Sequence, residues 1–214
     1  MTRADARRAV RGLYAVTPDR TDTERLVAEV GAALDGGVRL VQYRNKTASR
    51  ALRVAQARAL KALCSAHGAR LIVNDHVDIA LAADADGVHL GGEDGSALAA
   101  RELLGPARLI GVSCYASMDR AHAAQKEGAD YVAFGSFFAS RVKPGAVLAS
   151  LELLIEARRD LSVPVVAIGG INSGNAAALL GSGADAVAVI TDVFDAPDIT
   201  RAARAYTGLF SVSP

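Results

Sequence analysis

The stretch LIVNDHVDIALAADADGVHLGGED, Leu71 to Asp94, holds a complete strand, helix and strand in the shortest form this chain offers. LIVND is an apolar, β-branched run of strand length, Val77 to Ala83 has the apolar spacing of a short helix, and GVHL is a second strand. Both strands run into residues that hold metals or phosphates: Asn74 and Asp75 after the first, Gly91, Gly92 and Asp94 after the second. Polar chemistry gathered at the carboxyl ends of consecutive buried strands predicts a parallel barrel with its site on that face.

The same plan recurs outward in both directions. LVQYRNK (Leu40 to Lys46), IGVS (Ile110 to Ser113), YVAFGSFFASRVK (Tyr131 to Lys143), VVAIGGI (Val165 to Ile171) and AVAVIT (Ala186 to Thr191) are further buried strands with polar or glycine-rich ends. The first strand is LYAVT, Leu13 to Thr17, followed by TDTE, Thr21 to Glu24, in the form of a helix capping box. Leu26, Val30, Ala33 and Leu34 recur at helical spacing until Gly36-Gly37 stops the helix. Helices are predicted over Ser49 to His67, Ala97 to Leu104, Met118 to Glu127, Leu148 to Asp160, Gly174 to Leu180, and from the Asp195-Ala196-Pro197 start to Tyr206. Strands rich in Val, Ile and Ala with little alternation suit a sheet covered by helices. A doubly wound sheet fits this alternation, but eight units in 214 residues favour closure. The expected fold is α/β, a single-domain (β/α)8 TIM barrel over 13–214, with 1–12 as a basic N-terminal tail or helix carrying Arg3, Arg7, Arg8 and Arg11.

The composition, 51% hydrophobic and 22% charged with a formal net charge of +1, is that of a soluble globular chain. It gives no reason to expect nucleic acid or a membrane as partner, so an acidic ligand has to be gripped by a local cluster. Cys64 and Cys114 have no metal-type spacing and suit a reducing compartment. No apolar run reaches the ~20 residues of a membrane span, and the expected location is cytoplasmic.

Asp75 and Asp94 end neighbouring strands, so their carboxylates can converge on one ion; two carboxylates with phosphate oxygens and waters suit magnesium. Each has a plainer reading as a helix cap, ahead of HVDIALA and GSALAA respectively. Gln42, Arg44 and Lys46 alternate at one strand end and so share a side of an extended chain, where two cations can grip a diphosphate or stand solvated. Lys143 is a third cation from the far side. Gly169-Gly170 and Ile190-Thr191 end the last two strands, and their backbone N–H groups, with the helix start after Ser173, make a phosphate site or simple turns. Ser113 lacks His and Asp partners in a triad order and reads as a hydrogen-bonding residue; His89 reads as an interior histidine and Cys114 as structural. Tyr131, Phe134, Phe137 and Phe138 read as packing, with Phe137 or Phe138 an available wall for a ring.

In order along the chain, VQYRNK, NDHVDIAL, DGVHLGGED, IGVS, ADYVAFGSFF with VKP, VAIGGI and AVAVIT resemble the motifs of the thiamine phosphate synthase family from about Leu13 to Phe194. The resemblance implies an enzyme, a transferase, that joins 4-amino-2-methyl-5-(diphosphooxymethyl)pyrimidine to 4-methyl-5-(2-phosphooxyethyl)thiazole and releases diphosphate. It implies Asp75 and Asp94 as ligands of one magnesium ion per subunit. Gln42, Arg44, Lys46, Asn74, Ser113 and Lys143 fall at the pyrimidine diphosphate site, with Arg44, Lys46, Ser113 and Lys143 in catalytic roles. Ser140, Val142, Gly170, Ile190 and Thr191 fall at the thiazole phosphate site.

Four positions depart from the family pattern. Asn45 stands where the family commonly has Glu, Gly92 where it has Gln, and Ser140-Arg141-Val142-Lys143 where it has Thr-x-Thr-Lys. Val142 lacks the hydroxyl of that motif, so a backbone N–H or the charge of Arg141 has to serve instead. The alternatives are an isomerase that aromatises a thiazole tautomer without a diphosphate cluster, and a non-catalytic module binding thiazole phosphate or thiamine phosphate.

Overall fold

The computed structural model describes residues 3–92, 94–139 and 148–211. An N-terminal helix α1 (Arg3–Ala9) leads into β1 (Gly12–Val16), α2 (Thr23–Asp35), β2 (Leu40–Tyr43), α3 (Arg50–Ala66), β3 (Arg70–Asn74) and α4 (Val77–Ala82). The chain continues through β4 (Gly87–Leu90), α5 (Ala97–Leu104), β5 (Leu109–Tyr115), α6 (Met118–Lys126) and β6 (Tyr131–Phe134). It ends with α7 (Leu151–Asp160), β7 (Val165–Ile168), α8 (Ala176–Gly181), β8 (Ala186–Val189), α9 (Thr191–Phe194) and α10 (Ile199–Ser211). All neighbouring strands are parallel, and β8 returns to β1 to close the barrel predicted from the sequence.

The strand period sorts the side chains into two cores. Tyr14, Val16, Leu40, Ile72, Leu109, Tyr131, Val166 and Ala186 point inward and pack together inside the barrel. Leu13, Ala15, Val41, Leu71, Val73, Val88, Ile110 and Val187 point outward against the helices. On the helix side Leu26, Val30 and Ala33 of α2 are completely buried, which is why the i, i+4, i+7 spacing reads clearly in the sequence. Each large aliphatic side chain so buried contributes about 1.5–3 kcal/mol. Ala6 and Val10, on and just after α1, join the interior cluster and close the amino-terminal end of the barrel.

A repeated clamp starts β3, β5 and β7. Asp86, Asp130 and Asp185 each precede an even strand, and each donates its backbone N–H to the carbonyl of the preceding odd strand, at Leu71, Ile110 and Val165. The same aspartates accept the N–H of those three residues on Oδ2 at 2.8, 2.8 and 2.9 Å. A cation from the helix that precedes each odd strand completes the clamp: Lys61 of α3 on Asp86, Arg101 of α5 on Asp130, Arg158 of α7 on Asp185.

Several local expectations are corrected. The cap of α2 is Asp22, whose side chain accepts from the N–H of Arg25, rather than Thr21 in a box with Glu24. The helix expected from Gly174 begins at Ala176, and a short α9 follows β8 directly, ahead of α10. Among the described residues no helix is long and apolar enough to cross a membrane.

Candidate active site

At the carboxyl ends of the strands Asp75 and Asp94 meet. Asp75 turns the chain out of β3 with φ of 64°, a left-handed conformation that Asp and Asn tolerate best among residues with a Cβ. Its N–H donates to the carbonyl of His89 at 2.8 Å. Neither carboxylate caps a helix, which removes the plainer reading: His76 is at the cap of α4 and makes no side-chain cap bond, and Ser96 caps α5. Asp94 instead accepts from the N–H of Gly91 at 2.9 Å. Burial, and then the adjoining Asp94 carboxyl, push the Asp75 carboxyl above its usual range, while Lys46 opposes them with its Nζ 3.8 Å from Asp75 Oδ2.

Two carboxylates crowded together in this way lack positive charge, which fits a hard divalent cation that takes few protein ligands and keeps room for water and phosphate. Among the described residues no group of three or more His, Cys, Asp or Glu side chains forms a metal cage, so any cation held here depends on substrate oxygens and water for its other ligands.

Arg44 and Lys46 are positioned by residues that sequence reasoning missed. Thr17, completely buried, accepts the N–H of Arg44 and donates its hydroxyl to the Arg44 carbonyl, at 2.9 and 3.0 Å. Asp19 accepts from the Arg44 guanidinium at 3.3 Å and from the Lys46 N–H at 2.8 Å. The available signal was the adjacency of the first two strands, since Val16 pairs with Gln42 and the residues just beyond must meet.

Asn45 lies between them, buried. Its amide donates to the Arg20 carbonyl at 2.6 Å and to Gln56 Oε1 at 3.1 Å, and its Oδ1 accepts from the Ala48 N–H. A glutamate has no donor for those two acceptors, which explains why this chain keeps an amide at this departure from the family pattern. Arg53 adds bonds to the carbonyls of Asn45 and Lys46. A cavity of about 170 Å³ opens here, lined by Lys46, Arg53, Asn74, Asp75 and His76 among others. Gly92 has an equally local cause. A Cβ there would meet Arg120 Nη1 at 2.7 Å and the Tyr115 ring at 2.8 Å, because Arg120 stacks on Tyr115 with 5.2 Å to the ring centroid.

Gln42 and Ser113 face the barrel axis and are linked through its interior. Gln42 Nε2 donates to the Tyr14 hydroxyl at 2.9 Å, which lies 2.8 Å from the Tyr131 hydroxyl. The Tyr131 hydroxyl is 3.1 Å from His89 Nδ1, and His89 Nε2 is 2.9 Å from Ser113 Oγ. His89 is thus an interior histidine as the sequence suggests, and also the partner that Ser113 lacked in the sequence; the Tyr131 phenol lies against its other nitrogen.

At the far side, Gly169 and Gly170 leave β7 with φ of 103° and 63°. A Cβ on Gly170 would stand 2.4 Å from the Ala139 carbonyl oxygen, so only glycine fits. Thr191 opens α9 and Ile190 is its cap, with the Ile190 carbonyl accepting from Phe194 at 3.0 Å. At the helix start after Ser173 the N–H groups are engaged within the chain. The N–H of Ser173 is taken by Asp192 and that of Gly174 by Asn172 Oδ1, while Tyr206 fixes Asp192 at 2.6 Å. Phe137 is buried in the outer core and Phe138 packs against it partly buried. Ser140, Arg141, Val142 and Lys143 lie outside the described residues.

A closed parallel (β/α)8 barrel with carboxylates, cations and glycine turns collected at the carboxyl ends of its strands defines an enzyme of the TIM-barrel class. The sequence profile described as thiamine monophosphate synthase matches residues 13–193, and the chain belongs to that family. The thiamine-phosphate synthase of Thiobacillus denitrificans is 55% identical over 203 residues, 95% of this chain and 96% of that protein. That of Aromatoleum aromaticum is 55% identical over 201 residues, 94% of this chain and 97% of that protein. The solved structure of thiamine phosphate pyrophosphorylase from Pyrococcus furiosus superposes with a TM-score of 0.85 at 38% identity, covering 95% of this chain and 97% of the other.

Proposed function

We propose that this chain is a thiamine-phosphate synthase, a transferase that joins 4-amino-2-methyl-5-(diphosphooxymethyl)pyrimidine to 4-methyl-5-(2-phosphooxyethyl)thiazole and releases diphosphate. The observation that carries this reading is the 55% identity to thiamine-phosphate synthases along nearly the whole chain. The arrangement of the strand ends supports the chemistry.

Asp75 and Asp94 hold one magnesium ion per subunit. When bound, it supplies positive charge against a departing diphosphate. Arg44, Lys46 and Lys143 neutralise the same group, Arg44 with a planar fork and the lysines as point charges. Gln42, Asn74 and Ser113 orient the pyrimidine diphosphate. Gly170, Ile190 and Thr191, with Ser140 and Val142 from the sequence after β6, receive the thiazole phosphate. The C–O bond to diphosphate breaks with its electron pair leaving on oxygen, and the pyrimidine amino group feeds density into the cation that remains. The thiazole nitrogen then attacks the methylene carbon with its own lone pair, so no general base is needed. The protein works by alignment and charge neutralisation in a dissociative substitution.

Both partners are small phosphorylated molecules in the cytoplasm, with no role for nucleic acid or membrane. An isomerase of thiazole tautomers has no use for Arg44 and Lys46 set beside a carboxylate pair, and a binding module has no turnover. The test is product formation from the two substrates with magnesium and with chelator. Equal, magnesium-dependent amounts of thiamine phosphate and diphosphate are expected; folded protein that binds thiazole phosphate and yields no product rejects the reading.

A further inference from the structure

The line of side chains through the barrel has a direction. The amide nitrogen of Gln42 donates to the Tyr14 oxygen, so the proton of Tyr14 is left for Tyr131, its one other hydrogen-bond partner among the described residues. Tyr131 then gives its own proton to His89 Nδ1. A neutral imidazole that accepts at Nδ1 carries its proton at Nε2, so His89 donates to Ser113 Oγ. The hydroxyl proton of Ser113 is left for whatever occupies the mouth of the barrel. Both phenols are inside a dry core, 1% and 0% exposed, where a broken line, or one reversed against the donating amide of Gln42, would leave a proton without an acceptor. Burial pushes both well above the ordinary phenol range, so neither loses its proton at neutral pH.

The surroundings hold this geometry. Tyr131 stacks on the His89 ring at 5.6 Å and meets Tyr14 edge to face at 6.0 Å. Gly111 makes the room: a Cβ there would stand 2.0 Å from Tyr131 Cζ.

We propose that Tyr14, Tyr131 and His89 are positioning residues that fix the polarity of this line, so that Ser113 meets the pyrimidine diphosphate as a hydrogen-bond donor and His89 is a neutral donor to it, not its base. The substrate half of this inference rests on the assignment of Ser113 to the pyrimidine diphosphate site; the direction of the line does not.

The experiment is nitrogen NMR of the full chain labelled at histidine, without substrates, followed by steady-state kinetics of Tyr131→Phe and Tyr14→Phe. Wild type is expected to show His89 as the Nε2–H tautomer at neutral pH. In Tyr131→Phe that tautomer is no longer enforced, and kcat falls about tenfold while the KM for the thiazole phosphate stays put. Tyr14→Phe leaves Tyr131 able to donate to His89, so the tautomer persists and the kinetic loss is smaller. An Nδ1–H tautomer or an imidazolium in the wild type overturns the direction. The expected tautomer with unchanged kcat in Tyr131→Phe overturns the positioning role while the synthase reading stands. A wild type with the expected tautomer that makes no thiamine phosphate removes the synthase reading and, with it, the part played by Ser113 toward substrate.

Discussion

The ammonium of Lys46 stands 3.8 Å from the carboxylate of Asp75, joining the segment after β2 to the residue that turns the chain out of β3 with φ of 64°. The lysine only partly relieves Asp75, whose carboxyl is held above its usual range by burial and then by Asp94. A carboxyl raised in the folded state stabilises the fold below the ordinary carboxylate range, and that contribution is lost as pH rises through the raised value. Above that raised value the charge on Asp75 therefore works against folding until a cation joins it.

Asp75→Asn tests this directly, since Asn keeps the shape and tolerates the left-handed backbone. Turnover is expected to fall at least ~100-fold, the weight of one electrostatic stabiliser in an active site. The melting temperature without magnesium should hold or rise by a few degrees, and the upward shift that magnesium gives the wild type should vanish. A lower melting temperature with full activity per folded molecule would return Asp75 to a structural role.

Asn45→Asp changes one buried donor into an acceptor facing the Arg20 carbonyl and Gln56 Oε1. Gln56 cannot turn its amide to compensate without losing the bonds it makes to Arg20 and from Tyr43. The expected loss is about 2–4 kcal/mol in denaturant unfolding. Because the same segment carries Arg44 and Lys46, the KM for the pyrimidine diphosphate should rise as well. Unchanged stability would mean that the loop rearranges around a charge.

The barrel was legible because its strands are short and apolar and its helices end in glycine, both local signals. The carboxylate pair was legible because neighbouring strands bring their ends together by topology alone. What escaped was long-range pairing inside the closed sheet. Tyr14 and Tyr131 are 117 residues apart, and nothing in LYAVT or YVAF marks one hydroxyl for the other. Thr17 and Asp19 escaped for a related reason: they act on the backbone and guanidinium of another loop, which leaves no spacing to read. The stretch TDTE misled because two residues in it can cap, and the register of the first turn selects Asp22 over Thr21.

Cys64 and Cys114 are both buried and face the outer core, where burial pushes each thiol up to about 12. The thiolate is the reactive form, so both should resist a thiol reagent at pH 8 in the native state and react in full in denaturant. Fast labelling of the native chain would show that the helical layer opens locally around them.

Asp130 bonds both backbone groups of Ile110 and pairs with Arg101, all at the amino-terminal end of the barrel, away from the strand ends that carry the site. Asp130→Ala leaves the Ile110 N–H without its acceptor and takes the counter-charge from the Arg101 guanidinium, which keeps the carbonyls of Gly105, Arg108 and Gly128. A partly buried clamp of this kind should weigh far more than the exposed pair Arg159 and Asp160, whose removal should leave stability unchanged. The expected loss for Asp130→Ala is about 2–4 kcal/mol. For a chain of this size that lowers the melting temperature by very roughly 5–15 °C. Activity per folded molecule should be unaltered, because β5 enters the site at Ser113, at its other end. A drop in kcat with intact stability would mean that the clamp sets the height of Ser113 in the barrel instead of holding the strand in place.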